Sequence, residues 1–199
     1  MTAPSAPTVT LRAVTESDRQ RLRDWRNSPE VSAYMYSDHP IGQTEHDRWF
    51  DGLADDPRRR YWVIEADGEP VGLTSLTEID PVQGRGTIAR YLGVPAVRGR
   101  GVGAAAEFKV IDHAFTRLGL RKIWSEVLES NRVAWGLHLA NGFQREALFR
   151  AHVVKGGQPL DVVGLGLLAE DWRSHRPLAR ERLILKGYDG TSLDTPLSA

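Results

Sequence analysis

The 199-residue sequence predicts one α/β domain, and three observations carry that prediction. Segments with two-residue apolar alternation are interleaved with segments whose apolar residues recur every three or four positions. Three strand-like runs between Tyr61 and Val94 are separated by turn residues and read as an antiparallel meander. The next segment, Ala104 to Leu118, has few polar positions and must pack against a sheet.

The elements follow in order. Thr8 to Val14 alternates Val9, Leu11 and Ala13 with polar residues and predicts a short strand. Thr15 or Ser17 caps the next helix, which has Glu16 and Asp18 in its first turn and stops before Pro29. After a loop holding Tyr34, Met35, His39 and Ile41, Thr44 is expected to cap a second helix over Glu45–Ala54, with Trp49 and Phe50 on its buried stripe. Tyr61–Ala66 and Pro70–Ile79 form a hairpin across Asp67-Gly68, and Thr87–Val94 is the third strand. Ala104, Phe108, Ile111, Phe115 and Leu118 stripe the long helix, and Gly119 stops it. Lys122–Leu128 is a strand, Asn131 opens a helix to Ala140, and Asn141-Gly142 ends it. Phe143–Val154 and Leu160–Leu168 make a final hairpin. Beyond Trp172 the pattern fades, with a short helix expected at Leu178–Leu185 and a loose tail from Gly187.

Composition narrows the function. The 26 basic and 26 acidic side chains cancel, which argues against a dedicated nucleic-acid binder. Cysteine is absent, so disulfides, thiolate metal sites and a cysteine nucleophile are excluded. The histidines show no paired ligand spacing, so no metal is implied. No apolar run approaches the roughly 20 residues of a membrane span, and Met1–Pro7 has neither the basic start nor the apolar core of a secretory signal. The expectation is a cytoplasmic protein.

Between the third strand and the long helix lies Val97-Arg98-Gly99-Arg100-Gly101-Val102-Gly103. Glycines let such a loop turn tightly, and a helix starting there adds unpaired N–H groups and its positive dipole end. The product is an anion cradle. A nucleotide P-loop is excluded because no Lys-Ser or Lys-Thr follows the last glycine. A dinucleotide fingerprint needs G-x-G-x-x-G directly after a strand, whereas this loop reads G-x-G-x-G after Pro95. A glycine-rich turn without ligand and a coenzyme A pyrophosphate cradle remain. The latter has the pattern [QR]-x-x-G-x-[GA], met by Arg98, Gly101 and Gly103.

The surroundings of that loop decide. Strand, two helices, meander, Arg-x-x-Gly-x-Gly helix, strand, Asn-led helix and hairpin together resemble the GNAT superfamily of acyl-CoA-dependent N-acyltransferases. A second motif, Asn131-x-x-Ala134 through Leu137-His138 to Gly142-Phe143, is similar to that superfamily's Asn-x-x-Ala…Leu-Tyr…Gly-Phe segment. The resemblance covers residues 8 to 172 and implies the GNAT fold, a mixed, mostly antiparallel central sheet flanked by helices. It makes residues 1–7 a flexible N-terminus and 173–199 a C-terminal extension. It further implies acetyl-CoA as co-substrate, with backbone around Leu92, Gly93 and Val94 pairing with the pantetheine arm. Arg98, Gly99, Arg100, Gly101, Val102 and Gly103 would hold the pyrophosphate, and Asn131 would bond the pantetheine or fix the loop beside it.

The implied reaction is direct attack of a neutral amine on the thioester, which needs a proton taken from the amine and one given to the thiolate. The usual tyrosine donor is replaced by His138, whose side-chain type titrates near pH 6.5. The acid often found on the strand before the loop is absent, since Ile88, Ala89 and Arg90 stand there. Glu126, Glu78 and His46 are the candidate bases acting through water, with Glu126 preferred.

Trp25-Arg26-Asn27, then Met35, Ile41, Glu45-His46 and Trp49-Phe50, resemble the pattern of the amino-sugar N-acetyltransferases of the pseudaminic acid pathway. By that resemblance Arg26 and His46 meet a nucleotide or its phosphates, and Met35 and Trp49 line a sugar pocket. Arginine suits a diphosphate through bidentate bonding. The expected acceptor is therefore a nucleotide-linked amino sugar, on a monomer or homodimer. The ribosomal-protein N-acetyltransferase branch opens similarly. A protein N-terminus, an antibiotic or another natural-product amine is the alternative, as is a CoA-binding module without turnover.

Overall fold

A computed structural model describes residues 6–53 and 56–197. β1 (Val9–Ala13) leads through a single 3₁₀ turn into α1 (Arg19–Asn27). Thr15 and Asp18 form a capping box at that turn, and the buried Asp18 carboxylate accepts from Arg12 at 2.6 and 2.8 Å and from Arg21 at 2.9 Å. Ser28 is extended, as the residue before proline should be, and Pro29 opens the short α2 (Pro29–Ser32). The next helix, α3 (Gln43–Asp51), begins on Gly42 without a side-chain cap, so the expected start on Thr44 is corrected. Of its expected end, Ala54 lies outside the described residues.

The meander is β2 (Arg60–Ala66), β3 (Glu69–Asp80) and β4 (Arg85–Leu92). Asp67 and Gly68 both take positive φ (55° and 83°) in its first turn, the geometry a tight hairpin demands. α4 (Val102–Thr116), β5 (Lys122–Leu128), α5 (Arg132–Ala140), β6 (Gln144–Lys155) and β7 (Gln158–Leu168) follow. The seven strands form one sheet in the order β1-β2-β3-β4-β5-β7-β6, antiparallel everywhere except between β4 and β5. That is the GNAT fold.

The parallel pair positions the site. β4 and β5 pair only where Arg85–Thr87 meet Lys122–Trp124. Beyond it β5 stays with β7 and β4 stays with β3, so a gap opens between Ile88–Leu92 and Ser125–Leu128. α4 lies on one face, where Phe108 and Ile111 are fully buried. Each such side chain stabilises the fold by about 1.5–3 kcal/mol through apolar burial. α1 and α3 cover the other face, packing Leu22 and Phe50 on Val63 and Leu73.

The chain's two ends differ from expectation. In place of a short helix and loose tail there is a 17-residue α6 (Ala169–Leu185), followed by α7 (Gly190–Asp194). Trp172 explains this: its ring packs edge-on to Phe108 and its Nε1–H donates to Asp112 on α4 at 2.9 Å. Arg176 donates to the same carboxylate at 2.7 Å. These partners are remote in sequence, so local periodicity did not reveal them. Residues 1–7 were expected to be flexible, but Pro7 is buried and Ala6 packs on the core; residues 1–5 lie outside the description. Among the described residues no helix is long and apolar enough to cross a membrane.

Candidate active site

The glycine loop sits at the wide end of the gap. Gly99 and Gly101 adopt φ of 76° and 90°, a region closed to most side chains, and the second of these is the N-cap of α4. The first α4 hydrogen bond is from Ala105 N–H to the Gly101 carbonyl, so the N–H groups of Val102, Gly103 and Ala104 have no partner within the helix. They converge at the positive end of a 15-residue helix. Nothing stands within 4 Å of where a Gly99 Cβ would be, which leaves the loop's outer side open. This is a cradle that fits a pyrophosphate. Its inner side is braced: the buried Tyr188 hydroxyl donates to the Arg100 carbonyl at 2.9 Å. The Arg98 guanidinium donates to the Leu92 carbonyl at 2.9 Å, tying the loop to β4.

The backbone of β4 is less free than expected. Gly93 and Val94 both direct their N–H groups at the Val71 carbonyl. Alternation along the strand then turns Arg90 and Leu92 toward the gap, so those residues offer the main-chain groups an extended ligand could meet. Asn131 acts as the N-cap of α5, accepting from Ala134 N–H at 3.3 Å, and its amide N–H groups remain for a ligand.

His138 is buried at 2% exposure beneath this gap. Its Nδ1 lies 2.9 Å from Glu107 Oε1, and Arg90 Nη2 lies 2.9 Å from Glu107 Oε2. Arg90 Nη1 and His138 Nε2 are 3.5 Å apart. The acid missing from β4 is thus supplied from α4. Burial alone would push the Glu107 carboxyl up, but Arg90 and His138 outweigh it and hold it well below the usual range. Glu107 was not singled out in the sequence; the available signal was one acid amid the apolar run Val102–Ile111, with an arginine on the strand before it.

The residues expected to meet the acceptor come together from α1, α3 and the loop between α2 and α3, beside β4. Arg26, Met35, His46 and Trp49 all line one cavity of about 400 Å³, together with Glu45, Arg90 and Tyr91. Arg26 Nη1 and the Tyr91 hydroxyl are buried with no hydrogen-bond partner. Burial pulls the Arg26 guanidinium down and pushes the Tyr91 phenol up, as expected for groups lacking a counter-ion or acceptor. His46 is more committed: Nε2 lies 2.7 Å from the Arg19 carbonyl, so the ring serves as a wall with only Nδ1 spare.

The three consecutive residues Trp25-Arg26-Asn27 have separate tasks. Trp25 packs so closely over Gly93 that a Cβ there would lie 2.1 Å from its ring. Arg26 enters the cavity. Asn27 clamps the loop, accepting from Ile41 N–H at 2.8 Å and donating to the Ile41 carbonyl at 3.0 Å. A further clamp was not foreseen. Lys155, the last residue of β6, donates to the carbonyls of Ser32, Met35 and Ser37 at 3.2, 2.9 and 3.0 Å and so fixes the strip carrying Met35.

The candidate bases separate clearly. Glu78 accepts from Thr87 at 2.6 Å, at the end of β4 far from the loop, and His46 is held as above. Glu126 lies on the β5 bank of the gap and accepts from the Tyr36 hydroxyl at 2.8 Å. Burial and this carboxylate push the Tyr36 phenol up. Ile123 and Val127 face the α4 core, so Glu126 points to the other face, where the acceptor cavity lies. Glu126 and His138 therefore stand on opposite faces of the sheet.

A family model described as an Acetyltransferase (GNAT) domain matches residues 8–144. Spermidine N(1)-acetyltransferase of Escherichia coli is 29% identical over 181 residues, covering 91% of this chain and 97% of its own. Acetyltransferase PseH of Campylobacter jejuni is 26% identical over 139 residues, covering 68% of this chain and 84% of its own. Among solved structures, spermidine N-acetyltransferase of Vibrio cholerae in complex with CoA and spermine superposes with a TM-score of 0.78 at 23% identity. That match covers 83% of this chain and 98% of the other.

Proposed function

Since the chain belongs to the GNAT acetyltransferase family and is an acetyl-CoA-dependent N-acetyltransferase, we propose that its acceptor is a primary amine on an anionic, oxygen-rich carrier, namely a nucleotide-linked amino sugar. The observation carrying this is the pair of orphaned polar groups, Arg26 Nη1 and the Tyr91 hydroxyl, at the acceptor cavity. Arg26 donates through Nη2 to Ser37 Oγ at 3.2 Å, but its buried Nη1 has no partner, which is costly until an anion or carbonyl meets it. Arg90's charge is already met by Glu107 at 2.9 Å, so the attraction for a ligand bringing negative charge rests on Arg26, which shares the lining with Glu45.

Acetyl-CoA supplies the acetyl group as a thioester, whose carbon–sulfur bond breaks as the amine nitrogen takes the acyl carbon. In this reading Arg98 and the N–H groups of Val102, Gly103 and Ala104 hold the pyrophosphate, with Gly99, Arg100 and Gly101 shaping the turn. The gap-facing backbone of Arg90 and Leu92, together with Asn131, guides the arm, since the Gly93 and Val94 N–H groups are taken by Val71. Met35, His46 and Trp49 wall the sugar pocket while Arg26 meets phosphate. Glu126, on the acceptor face, takes the amine's proton through water, and His138 gives a proton to the departing thiolate.

A second acceptor class is supported by the spermidine acetyltransferases among the relatives and by Glu45 in the cavity lining. One assay separates the two. CoA thiol release from acetyl-CoA is measured with a UDP-4-amino-4,6-dideoxy sugar and with spermidine. A kcat/KM higher by at least about tenfold for the sugar supports the proposal, and the reverse order replaces it with a polyamine.

A further inference from the structure

We infer that Tyr188 is a positioning residue of the coenzyme site: its hydroxyl sets the peptide between Arg100 and Gly101 so that the Gly101 N–H joins the anion cradle. This rests on the reading of residues 98–103 as the pyrophosphate cradle.

A glycine turn starts with too much freedom. Because glycine accepts either sign of φ, the Arg100–Gly101 peptide can rotate by half a turn at little cost. In one orientation its N–H faces the open side of the loop. In the other its carbonyl oxygen faces there, and that oxygen repels an anion. A trans peptide holds its C=O and N–H on opposite sides, and the described residues contain no cis bond. The Tyr188 hydroxyl donates to the Arg100 carbonyl at 2.9 Å from the buried side. It would lie only 3.2 Å from a Cβ at position 101, so glycine also lets it come this close. The Gly101 N–H therefore points away from Tyr188, and among the described residues it meets no backbone carbonyl. Gly101 passes from φ 90° directly into the helical Val102, so its N–H continues the series of Val102, Gly103 and Ala104. Successive N–H groups in a turn of mixed hand form a concave anion site.

Tyr188 is held still from both sides. Gly187, at φ 90°, closes α6 with its own N–H on the Ile184 carbonyl at 2.8 Å and the Tyr188 N–H on the Leu183 carbonyl at 3.1 Å. That pair of bonds is a Schellman stop, and it fixes where the next residue stands. Asp189 then caps α7, its carboxylate accepting from the Thr191 and Ser192 N–H groups at 3.3 and 2.8 Å. Lys109 donates to the Ser192 carbonyl, which ties α7 to α4, the helix that opens on the cradle. Tyr188 itself is buried in the core, where a phenylalanine would fill the same space; only the hydroxyl reaches Arg100. Burial pushes that hydroxyl up to about 12 although Arg100 draws it down, so it keeps its proton and stays a donor at neutral pH. Tyr188 also lies outside residues 8–144, the span of the family model, so the brace is supplied by the C-terminal extension.

The test uses the full chain and Tyr188→Phe. Calorimetry should show CoA binding weakened about tenfold, the size of one lost buried hydrogen bond. In ¹H–¹⁵N titrations inorganic pyrophosphate should weaken to the same degree, while pantetheine, which lacks that group, stays within about twofold of wild type. Unchanged CoA affinity, or an equal loss with pantetheine, would overturn the inference. The wild-type titration is a second check that needs no variant to fold: the Gly101 amide must move with pyrophosphate. A still Gly101 beside moving Val102 and Gly103 removes the role of Tyr188 alone, whereas no shift anywhere in 99–103 removes the cradle reading with it.

Discussion

The coenzyme side and the acceptor side of the gap are built from different materials. The cradle at residues 98–103 is main chain: glycine conformation, free N–H groups and a helix end. The acceptor cavity is side chain, with Arg26, Tyr91, Trp49 and Met35 arriving from separate elements and held by clamps at Asn27 and Lys155. A main-chain site binds one shape and changes little with substitution unless the backbone changes. A side-chain site is re-specified by any one of its members. Under the proposed function the first would hold the coenzyme and the second would select the acceptor.

Experiments that break this contrast can be ranked by expected size. Gly101→Val should have the largest effect. It forces a β-branched residue to φ near 90° and drives its Cβ to 3.0 Å from the Tyr188 ring. CoA affinity by calorimetry should fall at least about 100-fold, the equivalent of about 2.7 kcal/mol; unchanged affinity would sink the cradle assignment. Arg26→Ala comes second. The acceptor KM should rise about tenfold or more while the acetyl-CoA KM is unaltered, and equal shifts in both would return Arg26 to a structural role.

Gly93→Ala tests whether the two sides are coupled. The new methyl must displace Trp25, so both KM values should rise by a few-fold in steady-state assays, against the one-sided effect of Arg26→Ala. Asp18→Asn should act on stability alone. Burial pushes this carboxyl up, but Arg12 and Thr15 outweigh it and hold it at about 2, below its value near 3.9 in an unfolded chain. Its contribution is thus complete above about pH 4 and is lost as the pH falls toward 2. Urea unfolding should show the variant weaker by about 2 kcal/mol at pH 7, with the difference shrinking at pH 3; a gap that stays constant would refute the assignment.

The same contrast explains what the sequence disclosed. Main-chain demands leave letters behind: Asp67-Gly68, Gly101, Gly119 and Asn131 mark turns, caps and helix ends close to where they occur. Every strand was legible for that reason. Arg26, Met35, His46 and Trp49 were legible as a spaced pattern, and they do line one cavity. The contacts that hold them were not. Lys155 reaches carbonyls some 120 positions earlier, and Trp172 finds Asp112 from 60 positions away. No local period encodes such distances. Glu107 was hidden differently, as a single charge in an apolar helix whose partners come from a strand and another helix.

Tyr188 gives the cradle a property unrelated to its chemistry. The hydroxyl that steadies Arg100 comes from 88 residues further along, after every strand of the sheet. Leu185, just before it, is exposed at 79% at the end of α6, a place where a protease could cut. After such a cut the brace would hang on what still anchors α7, the buried Leu193 and the ion pairs from Arg176 and Arg180 to Asp194. The steadiness of a turn at residue 100 is thus set by packing 88 positions further along the chain.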